Sequence, residues 1–321
     1  MESHGPDDKL CLSSVSAIQE QGREEMSARY HIGTSGWVYP HWKGIFYPDD
    51  LPQRRWFEHY AHHFATVEIN NTFYRLPQEK TFDRWREQAR KQTPEFRFIS
   101  KGITHLKHLK DCAEPVERFL SRARRLGHHL GPVLYQLPPH WGADPERLEQ
   151  FATLLPQDMI HVFEFRNGGW FIQPVREILE QYGLSFCIFS LPGAQCPQWI
   201  TGQAVYIRFH GSGWAYGGRY SPEELSAWAQ HIQDFLALGH DVYVYFNNDA
   251  FGYALENAWE LKEIVEAQAH RLGPVPGGER DCRPHYSDTY RHVVSRTGGL
   301  PAGGAGERGG PRDEKLQRTA G

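Results

Sequence analysis

Apolar and polar positions alternate through eight short segments of this chain, and most of these segments end in charged or amide side chains. The clearest are Val67-Glu68-Ile69-Asn70, Val162-Phe163-Glu164-Phe165-Arg166, Val205-Tyr206-Ile207-Arg208-Phe209-His210 and Val242-Tyr243-Val244-Tyr245-Phe246-Asn247. Successive side chains of a strand point to opposite faces. Glu68 therefore shares a face with Asn70, Glu164 with Arg166, Arg208 with His210, and Tyr245 with Asn247. The pattern predicts strands over 30–35, 66–71, 96–101, 132–137, 161–166, 185–190, 204–210 and 241–247. Between them the period lengthens to that of a helix: Phe57, Tyr60, Ala61 and Phe64; Phe82, Trp85 and Ala89; Val116, Phe119, Leu120 and Ala123; Leu148, Phe151, Ala152 and Leu155. Asp144-Pro145 reads as a cap followed by a first-turn proline. Ser221-Pro222-Glu223-Glu224 reads as a capping box. Residues 191–203 hold Pro192, Gly193, Pro197 and Gly202 and predict no regular helix after the sixth strand.

Strands alternating with helices imply a parallel sheet, and a count of eight favours an α/β fold of the (β/α)8, TIM-like barrel type. An open doubly wound sheet is the alternative, but no G-x-G-x-x-G follows the first strand. In a barrel the C-terminal strand ends converge on one mouth. That mouth would collect Glu68 and Asn70, Lys101, Gln136, Glu164 and Arg166, Arg208 and His210, and Asn247, with Ser190 as the sixth strand's contribution. Cys187 would fall on the off-site face. An inward polar group costs free energy unless it is paired or hydrated. The bland reading is that Glu and Arg pair with each other to close the barrel top. So many ionisable groups make a costly core filling, and a functional site is the preferred reading.

Within that set, Glu68, Glu164 and His210 are the candidate acid/base catalysts. Lys101, Arg166 and Arg208 outnumber the two carboxylates, which points to an anionic ligand such as a phosphate, carboxylate or nucleotide. Asn70, Gln136, Asn247 and Asn248 are candidate hydrogen-bonding contacts, and Trp37 and Tyr74 candidate stacking rings. The run from Lys101 to His108 extends the basic character, and Gly211-Ser212-Gly213-Trp214-Ala215-Tyr216-Gly217-Gly218 reads as a mobile lid. Glu68, Glu164, His210 and Asp249 are ligand types of a divalent-metal hydrolase. With a single histidine in the set and no H-x-H or H-E-x-x-H motif, no metal and no cofactor are expected.

Composition narrows the partners. Across 321 residues, 35 Lys and Arg against 39 Asp and Glu give a net charge of −4, so no global basic field points to nucleic acid. The five cysteines are scattered, without a C-x-x-C pair, as in a reducing cytoplasm. No apolar run approaches the roughly 18 residues of a membrane span. Residues 1–29 and the Gly/Pro/Arg-rich stretch 272–321 read as disordered extensions flanking a barrel domain over 30–271.

Ile32-Gly33-Thr34-Ser35-Gly36-Trp37, Phe46-Tyr47-Pro48, Val67 through Arg75, Gln136-Leu137-Pro138-Pro139, Glu164-Phe165-Arg166 and Tyr245-Phe246-Asn247-Asn248-Asp249 resemble the YecE-like family, a domain of unknown function. The resemblance covers about residues 30–266. It implies a TIM-barrel-like fold and marks nearly the same polar set, without assigning a reaction. Two positions depart from the family pattern, Asn167 and Ser190, each removing a titratable group. The expectation is a barrel that binds an anionic, phosphorylated or nucleotide-like ligand, small or polymeric, and hydrolyses it by Glu/His chemistry. The alternatives are a non-catalytic nucleic-acid or metabolite-binding barrel and a metal-dependent hydrolase or isomerase.

Overall fold

In a computed structural model, residues 29–70, 72, 76–102 and 111–272 are described. The expected disordered extensions, Tyr74, and the basic loop from Ile103 to His108 lie outside them. Eight parallel strands, β1 (Tyr30–Thr34), β2 (Thr66–Ile69), β3 (Arg97–Lys101), β4 (Leu130–Leu137), β5 (His161–Phe165), β6 (Ser185–Ser190), β7 (Ala204–Phe209) and β8 (Asp241–Phe246), form one sheet in the order β1-β8-β7-β6-β5-β4-β3-β2. This is the nearly closed barrel that the alternation predicts. β1 and β2 share no regular ladder. Their seam is closed by a bridge between Ser35 and Glu68, by the Gly36 N–H donating to the Glu68 carbonyl (2.8 Å), and by the Tyr60 hydroxyl. That hydroxyl accepts from the Thr34 N–H and donates to the Thr66 carbonyl, both at 3.1 Å.

Gly33 is set by this seam. A Cβ there would stand 2.4 Å from the Thr66 carbonyl oxygen, so only a residue without a side chain lets the two backbones approach. Gly33→Ala is expected to cost about 1–3 kcal/mol, the usual range for overpacking, in a denaturant titration. An unchanged midpoint would show that the seam tolerates separation.

The helices α1 (Trp56–Ala61), α2 (Glu79–Gln92), α3 (Ala113–Ala123), α4 (Pro145–Ala152), α5 (Gln173–Gln181), α6 (Pro222–Ala237) and α7 (Tyr253–Leu272) punctuate the strands. Asp144 accepts from the Arg147 N–H at the start of α4, and Ser221 with Glu224 completes the expected capping box of α6. Two apolar layers result from the strand period. Outward strand residues such as Val67, Phe98, Phe163, Ile207 and Val244 pack with the helices, while Ile99, Leu134, Val162, Cys187, Ala204, Tyr206, Tyr243 and Tyr245 fill the barrel interior. After β6 no helix forms over 191–203, as its prolines and glycines predict. Trp199 packs at a tilt on Phe186 in its place (centroids 5.2 Å).

Candidate functional site

The last inward positions of the strands build a polar layer above the apolar floor. Arg208, fully buried, lies at its centre. Its Nη1 donates to Glu164 Oε2 (2.6 Å) and Gln136 Oε1 (3.1 Å), and its Nη2 donates to Glu68 Oε1 (2.6 Å) and, at 3.4 Å, to Ser35 Oγ. One guanidinium thus ties β7 to β2 and β5 across the barrel, the forked geometry that arginine offers and lysine does not. Glu68 is completed by hydroxyl donors, Ser35 Oγ to Oε1 and Tyr206 OH to Oε2, both at 2.8 Å.

Glu164 holds three partners. Besides Arg208, Arg166 Nε lies 2.6 Å from Oε1, an ion pair not directed along a hydrogen bond, and His210 Nε2 lies 2.9 Å from the same oxygen. Burial pushes the Glu164 carboxyl up, but the charges of Arg166 and Arg208 outweigh it and hold the group well below the usual carboxylate range. Burial and the Arg166 charge push His210 well below its ordinary value, so it is neutral. Its surroundings fix the tautomer: Nε2–H donates to Glu164, and Nδ1 accepts from Asn247 Nδ2 (3.3 Å) and Arg166 Nη2 (3.4 Å).

Among the described residues of the layer two carboxylates and two arginines balance, and Lys101 adds a charge that depends on pH. It is 7% exposed, and burial first, then the repulsion of Arg208, lowers its pKa from 10.5 to about 7 despite the opposing pull of Glu68 and Glu164. Asn70 Nδ2 donates to the Ser35 carbonyl (3.0 Å) at the β1–β2 seam. Among the described residues, the cationic excess expected from the sequence then depends on an amine that is partly protonated near neutrality.

Four expectations are corrected. Trp37 is a core ring, edge-on to Phe57 and Trp85 at 5.6 and 5.9 Å, because the chain has left the strand and its period by that point. Asn248 points away from its neighbour Asn247; its Nδ2 donates to the Gly218 carbonyl (2.9 Å) and to Asn257 Oδ1 (3.0 Å), bracing loop against helix. Strand six is read one residue out of phase. Cys187 faces the barrel interior, and Ser190 Oγ accepts instead from Tyr220 OH (3.0 Å). The residue that β6 contributes beside the site is Phe189, whose ring lies 5.5 Å from the Arg166 guanidinium. Lastly, Asp249 does not join the carboxylates: it accepts from Trp42 Nε1 (2.9 Å) and pairs with His41 Nε2 (2.9 Å). No group of three His, Cys, Asp or Glu side chains among the described residues is arranged to hold a metal ion.

Most loop rings after β1 and β5 are packed as well. Tyr47 stacks on Trp56 at 4.5 Å and Trp170 on Phe165 at 4.8 Å. Asn167, one of the departures, works locally, accepting from the Gly169 N–H (2.8 Å) and donating to the Pro139 carbonyl (2.9 Å). Tyr206 is a site residue that the sequence reading left out, although it shares a face with Arg208 and His210. A groove of about 540 Å³ lined by Cys112, Glu114, Arg147 and Phe151 lies on the helical exterior and touches none of these groups.

Fold and site together define a parallel (β/α)8-type barrel with a buried ionic layer at the C-terminal ends of its strands. The chain belongs to the DUF72 family, described as a protein of unknown function, whose model matches residues 31–280. It is 26% identical over 281 residues to the UPF0759 protein YunF of Bacillus subtilis, across 76% of this chain and 97% of that one. It is 32% identical over 158 residues to the UPF0759 protein YecE of Escherichia coli K12, across 48% and 54% of the respective chains. Among solved structures, a DUF72 family protein of Thermotoga maritima is similar, with a TM-score of 0.67 and 28% identity, over 74% of this chain and 99% of that one. A DUF72 protein of Enterococcus faecalis shares the fold, with a TM-score of 0.64 at 18% identity. No helix among the described residues is long and apolar enough to cross a membrane.

Proposed function

We propose that this barrel binds a small anionic ligand, phosphorylated or nucleotide-like, at the C-terminal mouth. Arg166 and Lys101 supply the charge, and Asn70, Gln136 and Asn247 supply hydrogen bonds. The observation that carries this reading is the state of Arg166. Its Nε pairs off-line with Glu164, and its Nη2 makes only contacts at the long end of hydrogen bonding, 3.4 Å to His210 Nδ1 and 3.4 Å to Tyr216 OH. An oxyanion would replace these with shorter charge-assisted bonds. Arg208, by contrast, is spent on Glu68 and Glu164, and its role in this reading is to hold the layer together.

Hydrolysis of the bound ligand by Glu164 and His210 is the second reading, favoured by their 2.9 Å contact. In the resting arrangement both nitrogens of His210 are engaged, so proton transfer requires the ligand to draw Arg166 away. That withdrawal would remove one of the charges that depress His210, while burial continues to lower it. The free thiols of Cys187 and Cys196 fit a cytoplasmic setting for this reading.

Arg166→Gln is expected to weaken inorganic phosphate binding at least about tenfold in a thermal-shift titration, as for loss of a hydrogen bond to a charged group. Sulfate, whose charge is fixed near neutrality, should bind more weakly as pH rises through about 7, where Lys101 loses its proton. Equal affinity in wild type and variant would reject the anion site.

A further inference from the structure

The segment between β7 and α6 was expected to be a mobile lid, yet it is wound tightly. The Tyr216 N–H donates to the His210 carbonyl (2.5 Å), the Gly217 N–H to the Trp214 carbonyl (3.1 Å), and Asn248 Nδ2 to the Gly218 carbonyl (2.9 Å). Tyr220 OH donates to the Gly211 carbonyl (2.8 Å), and Ser212 Oγ to the Glu224 carboxylate (2.8 Å). A Cβ at Gly211 would stand 2.1 Å from the Gly217 carbonyl oxygen, and one at Gly218 would stand 2.6 Å from the Gly213 nitrogen. The loop therefore has one tight course, and along it Tyr216 takes φ 61°, a left-handed conformation uncommon for a residue with a side chain. Strain of this kind persists where the surroundings over-determine it.

What the loop holds in place is an aromatic ring at the site. The Tyr216 ring centroid is 5.8 Å from the Arg166 guanidinium and 5.7 Å, edge to face, from the His210 ring. Arg166 Nη2 donates to its hydroxyl at 3.4 Å. The same ring is 41% exposed, and Trp214 beside it in the loop is 55% exposed, while the rings after β1 and β5 are packed in the core. Tyr216 thus lies against Arg166 and His210 while part of it stays exposed. Its hydroxyl, having accepted from Arg166, keeps its own proton to donate to an anion at the same point.

We propose that Tyr216 is a stacking platform, and that the ligand is an anion carrying a planar heterocycle, a nucleoside monophosphate in chemical class. The ring stacks on the exposed part of Tyr216, and the phosphate lies between Tyr216 OH and Arg166 Nη2. This deepens the anion-binding reading and rests on it. Every base presents a π-face, so such a platform selects for a base without choosing which one.

Calorimetric titration with adenosine monophosphate and ribose 5-phosphate separates the two proposals. Wild type should bind the nucleotide at least about fivefold more tightly than the sugar phosphate, the lower range for one stacked base. Tyr216→Phe should keep that preference while weakening both ligands. Tyr216→Leu should bind the two equally, with ribose 5-phosphate bound as in Tyr216→Phe. Equal binding of both ligands by wild type, or a preference retained in Tyr216→Leu, overturns the platform and leaves the anion site standing. Loss of ribose 5-phosphate in Tyr216→Leu but not in Tyr216→Phe assigns the ring to holding Arg166 and also overturns it. If wild type binds neither compound, the anion site fails and the platform with it.

Discussion

Arg208→Met is expected to destabilise the protein by about 3–5 kcal/mol or more, a large share of the roughly 5–15 kcal/mol that holds a typical domain folded. The arginine is the shared partner of Glu68 and Glu164, 2.6 Å from each, and all three side chains are fully buried. Removing it leaves two carboxylates from opposite sides of the barrel without their common cation. A methionine fills much of the space, so the loss reports charge more than cavity. Adding Glu68→Gln to the same chain should recover part of the stability, because Glu68 then no longer carries a charge that Arg208 balanced, while Glu164 keeps its ion pair with Arg166. Arg208→Lys should fall between, since one ammonium cannot fork to both acids. Equilibrium denaturation checks all three, and a loss under about 1 kcal/mol in Arg208→Met would mean that the layer is not organised by this residue.

Lys101→Met carries the opposite sign. The amine titrates at about 7 in the folded protein against 10.5 unperturbed, so the unfolded chain holds more protons between those values. Stability therefore rises with pH through that window, and the burden of burying Lys101 is full below its lower edge. Removing the amine is expected to stabilise the protein by on the order of 2–4 kcal/mol at pH 7, with the gain shrinking as the unfolded lysine loses its proton at higher pH. The same variant should bind sulfate less well. A site that lowers stability where it increases affinity is the usual exchange at functional positions. Unchanged or reduced stability at pH 7 would show that the fold does not lower the pKa of this amine.

The sequence makes the architecture legible because most strands bury both faces while their last inward residues are polar. The break in apolar character at Glu68, Glu164, Arg208 and Asn247 marks strand end and site at once. Strand six lacks that contrast: Ser185-Phe186-Cys187-Ile188-Phe189-Ser190 is apolar on both faces, so its only late polar residue, Ser190, draws the phase one position off. Trp37 and Asn248 lie beyond their strands, where alternation no longer says which way a side chain points. The pairing within the layer is less accessible still. That Arg208 would reach two carboxylates, and that burial would bring Lys101 to about 7, depends on distances across the barrel that no spacing along the chain encodes. Tyr216 is a further case, since a glycine-rich loop reads as mobile until Gly211, Gly217 and Gly218 are seen to have no room for a Cβ.

Locating an anion directly is the most decisive measurement. Crystals soaked in selenate, a heavier sulfate analogue, should show one anomalous peak at the barrel mouth within hydrogen-bonding reach of Arg166 Nη2 and facing Lys101, absent from Arg166→Gln crystals soaked in the same way. No peak at the mouth, or one that persists unchanged without Arg166, would contradict the account.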